Sequence, residues 1–162
     1  MTAYQLTLTG TGGPLVLPLD RIYCTRRAGE SSWVTVAVPI GSAALETTLR
    51  AATDWVINID ADGGAFLQAT LTAMIPDHSP HLWKWQFTGR IINPGFTAQT
   101  RSLVDVTEIG DENGRHFARA SVLPLLRPND TVDDGVQSWV AGAIVYEIST
   151  QESWMQVTEV AA

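Results

Sequence analysis

Apolar and polar residues alternate along most of this chain. Tyr4, Leu6 and Leu8 alternate with Gln5, Thr7 and Thr9, the pattern of a half-buried strand, and Gly10 to Pro14 ends it. Leu15 to Asp20 and Arg21 to Arg26 predict one long strand, or two with a kink at Pro18. Ala28-Gly29-Glu30-Ser31 predicts a hairpin turn. The returning strand, Ser32 to Val38, places Trp33 on one face and Val34, Val36 and Val38 on the other. Pro39-Ile40-Gly41 breaks this strand and the period changes. Ser42 then caps a helix over Ala43 to Ala52, with Leu45, Leu49 and Ala52 on one stripe, the one helix the pattern predicts. Trp55 to Asp60 returns to period two, and Ala61-Asp62-Gly63-Gly64 is a hairpin turn. In the partner strand, Phe66 to Ile75, Phe66, Gln68, Thr70 and Thr72 face one way and Leu67, Ala69, Leu71 and Ala73 the other. Pro76 to Pro80 predicts a loop, and Leu82 to Ile91 a strand on which Trp83, Trp85 and Phe87 share a face.

Asn93-Pro94-Gly95 marks the expected boundary between two sub-domains, 1–94 and 95–162. Beyond it the pattern predicts strands over Arg101 to Ile109, Arg115 to Leu123, Gln137 to Ser149 and Glu152 to Val160. Asn113-Gly114, closing the turn from Asp111, is the strongest local hairpin signal in the chain. Val122, Leu123, Val140, Ile144, Ile148 and Val157 are the expected core of the second sub-domain. The fold class is therefore all-β: two small antiparallel β-meander or barrel-like sub-domains with one short helix.

Composition narrows the function. Charged residues make up only 17% of the chain against roughly 25% in ordinary soluble domains, which implies that part of the surface is covered. The formal net charge is −7, so the basic footprint of a nucleic-acid binder is missing. Either solubility or attraction to a basic partner accounts for that acidity. The single cysteine, Cys24, excludes an internal disulfide, and its apolar flank makes it a small core residue. No signal-peptide pattern and no long apolar run occurs, so the expectation is a chain made in a cytoplasm with no membrane contact.

Candidate chemistry is sparse. His78 and His81 follow closely on Asp77, but a metal site needs further ligands, and His116 lies on a predicted strand with no carboxylate at a telling spacing. Asp60-Ala61-Asp62-Gly63 resembles the start of a calcium loop, yet Leu71 stands where the twelfth-position Glu belongs. Asp105, Glu108, Asp111, Glu112, Asp130, Asp133 and Asp134 mostly occupy turns, where Asp is favoured for bonding its own backbone. Phosphate-loop, nucleophile-elbow and zinc-protease motifs are missing. The expectation is no enzyme, no cofactor and no metal. The face holding Trp83 and Trp85 reads as core, subunit interface or sugar-stacking platform. Trp83, Trp85, Trp139 and Trp154 are the interface candidates, since tryptophan is enriched at binding hot spots.

The last third carries a resemblance. Pro124, Leu126-Arg127-Pro128, Asp130-Thr131-Val132, Val140-Ala141-Gly142-Ala143-Ile144, Tyr146, Ile148-Ser149 and Met155-Gln156-Val157-Thr158-Glu159 follow one another in a set order. That order resembles the β-domains of tail-tip and baseplate-hub proteins of tailed bacteriophages. Asn129 departs from the glycine usual there, a change a turn tolerates because Asn accepts a left-handed backbone. Thr25-Arg26-Arg27 to Val38-Pro39 matches the first β-domain of such proteins more loosely. The resemblance implies a structural virion subunit of the tail tip or baseplate hub, assembling as a symmetric ring of its own copies with other phage tail proteins. It brings no catalytic motif. A carbohydrate- or receptor-binding module and a capsid decoration protein are the alternatives.

Overall fold

A computed structural model of the chain describes every residue except Met1, Ile40, Pro80, His81 and Pro94, together with all side chains but those of Asp77, His78, Ser79, Leu82 and Trp83. Ile40 and Pro94, at two predicted breaks, and Pro80 and His81, in the predicted loop, thus lie outside the described residues. Thirteen strands and one helix are seen among the rest, an all-β fold with a single short helix. The chain divides into two compact units, Met1–Ile22 with Trp33–Asn93, and Tyr23–Ser32 with Pro94–Ala162.

In the first unit, β1 (Tyr4–Thr9), β2 (Leu15–Leu17), β4 (Trp33–Pro39), β5 (Val56–Ala61), β6 (Gly64–Ser79) and β7 (Leu82–Ile91) run in the order β2-β1-β5-β6-β7-β4. Alternation does the work: Leu6, Leu8, Ile57, Ile59, Ala69, Phe87, Val34 and Val36 are buried on one face. The helix α1 (Ala43–Ala51) starts where Ser42 Oγ accepts the Leu45 N–H at 3.2 Å, the predicted cap. Its Leu49 is buried, and the Leu49 carbonyl accepts the buried Trp55 Nε1–H at 3.0 Å. Asp62 and Gly63 take φ of 49° and 79°, the doubly left-handed backbone of a two-residue hairpin turn between β5 and β6.

Two expectations for β6 fail on its bulges. Ile59 pairs with Leu67 but Asp60 with Ala65, so Phe66 is an extra residue, and it is buried together with Leu67. A second register shift between Leu71 and Ala73 leaves Thr72 extra against β7. Strict alternation from Phe66 to Ala73 is therefore broken at both ends. The loop predicted from Pro76 is strand as far as Ser79, with Pro76 opposite Trp85. Among the described residues, pairing between β5 and β6 stops at Thr70, so Pro76 borders no described strand on its β5 side, and a residue without an N–H is tolerated there.

The second unit takes Tyr23–Arg27, the end of β3 (Arg21–Arg27), from far upstream in sequence. It lies beside β12 (Ser138–Ser149), followed by β13 (Ser153–Glu159), β10 (Arg115–Ala120) and β9 (Glu108–Glu112). Asn113 and Gly114, with φ of 53° and 73°, form the predicted tight turn between β9 and β10. The strand predicted over Arg101 to Ile109 is instead β8 (Thr100–Ser102), a bend in which Asp105 has φ of 51°, and then β9. Asp105 holds that bend by accepting the Ser121 hydroxyl at 3.0 Å. A short β11 (Thr131–Asp133), not predicted as a strand, pairs antiparallel with β12 and parallel with β8.

The expected core needs two corrections. Ile144, Ile148 and Val157 are buried, but Val140 is 38% exposed and Trp139 and Ala141 point inward instead. The cause is a bulge: Ala141 pairs with Glu159 and Ala143 with Thr158, so Gly142 is an extra residue that reverses the phase of β12. A Cβ on Gly142 would stand 2.5 Å from the Val160 Cα, so this position has no room for a side chain. Val122 and Leu123 lie past the end of β10, half-buried rather than in a strand.

Candidate functional site

Three of the four predicted tryptophans have described rings, and they differ. Trp85 is 4% exposed; its ring lies beside Phe87, with the Arg50 guanidinium 5.0 Å from its centroid. Trp139 is likewise buried, edge-on to His116 at 5.2 Å. Trp154 is half-buried on the outward side of β13, under the Arg119 guanidinium at 4.9 Å. Arg119 also donates to Gln156 at 3.0 Å and pairs with Glu108 at 3.3 Å. The side chain of Trp83 lies outside the described residues, as do those of Asp77, His78 and His81, in or beside the predicted loop before it.

His116 has the carboxylate partner that spacing along the chain did not reveal. Its Nε2 lies 2.7 Å from Asp134 Oδ2, which also accepts Trp139 Nε1–H at 3.0 Å; Asp134 Oδ1 accepts the N–H groups of Val136 and Gln137, both at 2.9 Å. Burial of Asp134 pushes its pKa up, but the donors from Gln137, His116, Trp139 and Val136 outweigh it and hold the carboxyl well below the usual range. A His–Asp pair serves catalysis when the other imidazole nitrogen faces a nucleophile. Here His116 Nδ1 faces Asp111 Oδ1 at 3.7 Å, a second carboxylate. The arrangement joins the start of β10 to the β11–β12 turn, and its chemistry is bracing. Among the described residues, no three His, Cys, Asp or Glu side chains converge as metal ligands.

A second polar knot lies at the turn singled out in the sequence. The Arg127 carbonyl accepts the Asp130 N–H at 3.1 Å across Pro128 and Asn129, and Asn129 has φ of 75°. Proline second and a left-handed residue third is the pattern of a type II turn, which explains why glycine is usual at Asn129. Buried Asp130 ties the turn inward, accepting from Gln99 N at 2.8 Å, Arg127 N at 2.9 Å and Arg101 Nε at 3.1 Å. Tyr146 OH donates to the Leu126 carbonyl at 3.1 Å, and the buried Arg26 guanidinium sits 5.6 Å from the Tyr146 centroid. Burial, and then the charge of Arg26, lowers the Arg127 pKa to about 10. Cys24 is buried in the same unit, and burial pushes its thiol up, the environment of an inert core residue.

The outer face of the first unit is of another kind. Strand register lines up Thr9, Val56, Thr70, Arg90 and Trp33 across β1, β5, β6, β7 and β4. Val16, Thr7, Asn58 and Gln68 form the row on one side, and Ala73, Thr88 and Thr35 the row on the other. Arg90 is the one charged residue in these three rows. Asn58 Nδ2 donates to Thr9 Oγ1 at 3.0 Å, and Gln68 Nε2 donates to Asn58 Oδ1 at 2.9 Å. Trp33, at the end of the central row, is 43% exposed. The period-two pattern places each of these residues on a strand face, but the rows depend on cross-strand register, which no single strand specifies.

No protein-family model matches the chain, and no curated protein sequence does. Solved structures do. The fold is similar to that of a tail protein of prophage MuSo2 from Shewanella oneidensis, with a TM-score of 0.64 at 8% identity over 96% of each chain. It is similar as well to a tail protein from Neisseria meningitidis MC58, with a TM-score of 0.62 at 7% identity, covering 96% of this chain and 95% of that one. At such identity the likeness is one of fold. The chain has the fold of two tail proteins, in agreement with the resemblance read in its last third.

Proposed function

We propose that this protein is a structural subunit of a bacteriophage tail, placed in the tail tip or baseplate hub and assembled there as a symmetric ring with other tail proteins. The observation that carries the reading is the fold shared with two tail proteins over nearly the whole chain. The polar clusters agree with it, because each ties strands and turns together and none sets a nucleophile beside a base. A role without catalysis needs rigid surfaces, and bracing supplies them. A sugar platform on the Trp83–Trp85 face is the weaker reading, since the Trp85 ring lies buried under Arg50.

The test is a reconstruction of the particle or of co-purified tail complexes. The expected result is several copies of the chain around the tail axis. Copies on the head would favour a decoration role, and absence from particles would overturn the proposal.

A further inference from the structure

We propose that the outer sheet face of the first unit is a binding surface for a neutral polysaccharide, with Trp33 as its stacking ring. Three observations lead there. First, the centre of the face is almost uncharged on a chain whose formal net charge is −7: Arg90 alone is charged in its three central rows, and the register places Asp60 and Lys84 only in rows beyond them. An ordinary solvated sheet face carries Lys and Glu, whereas this one offers hydroxyls and amides, which hydrogen-bond sugar hydroxyls in both directions without demanding a counter-charge. Second, these groups are ordered before anything binds. The Asn58 amide is held by the Thr9 hydroxyl and Gln68, so little side-chain entropy remains to be lost there on contact. Third, Trp33 leaves its ring in solvent beside those rows, while Trp55, Trp85 and Trp139 are all buried. Indole combines a flat apolar face with a hydrogen-bonding edge, the combination that a pyranose ring with an apolar face and a hydroxyl rim requires.

Other occupants fit less well. A second copy of the chain needs a contiguous apolar centre, but the strongly exposed Val16 and Ile75 fall at opposite corners of the face with threonines and amides between them. A nucleic acid needs a basic stripe, and Arg90 by itself does not make one.

The test uses the full chain on an array of immobilised neutral bacterial surface polysaccharides, with heparin as the acidic control. At least one neutral glycan should be retained, and Trp33→Ala should weaken its binding roughly tenfold or more, the usual effect of truncating an aromatic anchor. Gln68→Glu, which puts a charge into the rows, should weaken it as well, whereas Trp154→Ala in the second unit should leave it unchanged. Because Trp33 is surface-exposed, unchanged circular dichroism will separate lost binding from lost folding. Retention of no neutral glycan, retention of heparin alone, or binding that Trp33→Ala leaves intact would overturn the inference. None of these outcomes bears on the place of the chain in a tail, which the reconstruction decides.

Discussion

Asn129 is a non-glycine residue held at φ of 75°, third in a turn whose second residue is Pro128. A left-handed backbone favours glycine, so Asn129→Gly should be neutral or mildly stabilising, while Pro128→Ala should cost under about 1 kcal/mol through a freer unfolded chain. Urea titration measures both; a large loss in Asn129→Gly would mean that the amide side chain holds the turn. Asp134 makes the stronger case. Its carboxyl titrates lower folded than unfolded, so the charged form stabilises the fold at neutral pH. That contribution is present above about pH 4, where the unfolded group ionises, and drains away as pH falls from there toward the folded value. Asp134→Asn should cost about 2 to 3 kcal/mol near neutrality, because an amide nitrogen then confronts His116 or Trp139, and it should flatten stability below about pH 4. An acid profile identical to that of the wild type would refute the bracing role.

Among the elements, β12 is the most informative. Its bulge at Gly142 lets Trp139 and Ala141 share an inner face with Ile144, Tyr146 and Ile148, a set that strict alternation cannot collect. Gly142→Ala should lose roughly 1 to 3 kcal/mol, since its methyl would collide with the Val160 backbone and the strands cannot part without breaking pairs. Ile144 is fully buried, and Ile144→Ala should lose roughly 2 to 5 kcal/mol. Thermal or chemical denaturation reads both. A loss under about half a kilocalorie at Ile144 would place that strand one residue out of register.

For the whole molecule, the open matter is what covers its surface. If the chain builds a ring in a tail, Trp154 is, among the predicted anchors whose rings are described, the one best placed to touch a neighbour, because Trp85 and Trp139 are already buried in their own units. Trp154→Ala should therefore reduce incorporation into tails while the isolated chain melts nearly as before. The measurement is the amount of the variant in purified particles. Full incorporation of a normally folded Trp154→Ala protein would remove that ring from the subunit contacts.

Much of this was written in local pattern. Alternation placed β1, β4, β5 and β7, Ser42 marked the start of the helix, and Asp62-Gly63 and Asn113-Gly114 marked two tight turns. Each depends on residues within a few positions of one another, so the chain itself determines them. The Arg127 to Val132 run pointed to the tail-protein fold for the same reason: its turn chemistry is local. Bulges at Phe66, Thr72 and Gly142 escaped, since an extra residue is defined only against a partner strand. So did the entry of Tyr23–Ser32 into the second unit, a segment composed like its neighbours. The His116–Asp134 pair escaped as well, because residues eighteen apart meet only when β11, β12 and β10 are assembled. The same holds for the threonine and amide rows beside Trp33, which exist only across five paired strands. What a residue says to its neighbours in sequence was legible; what it faces across a sheet was decided by packing, because register is a property of pairs.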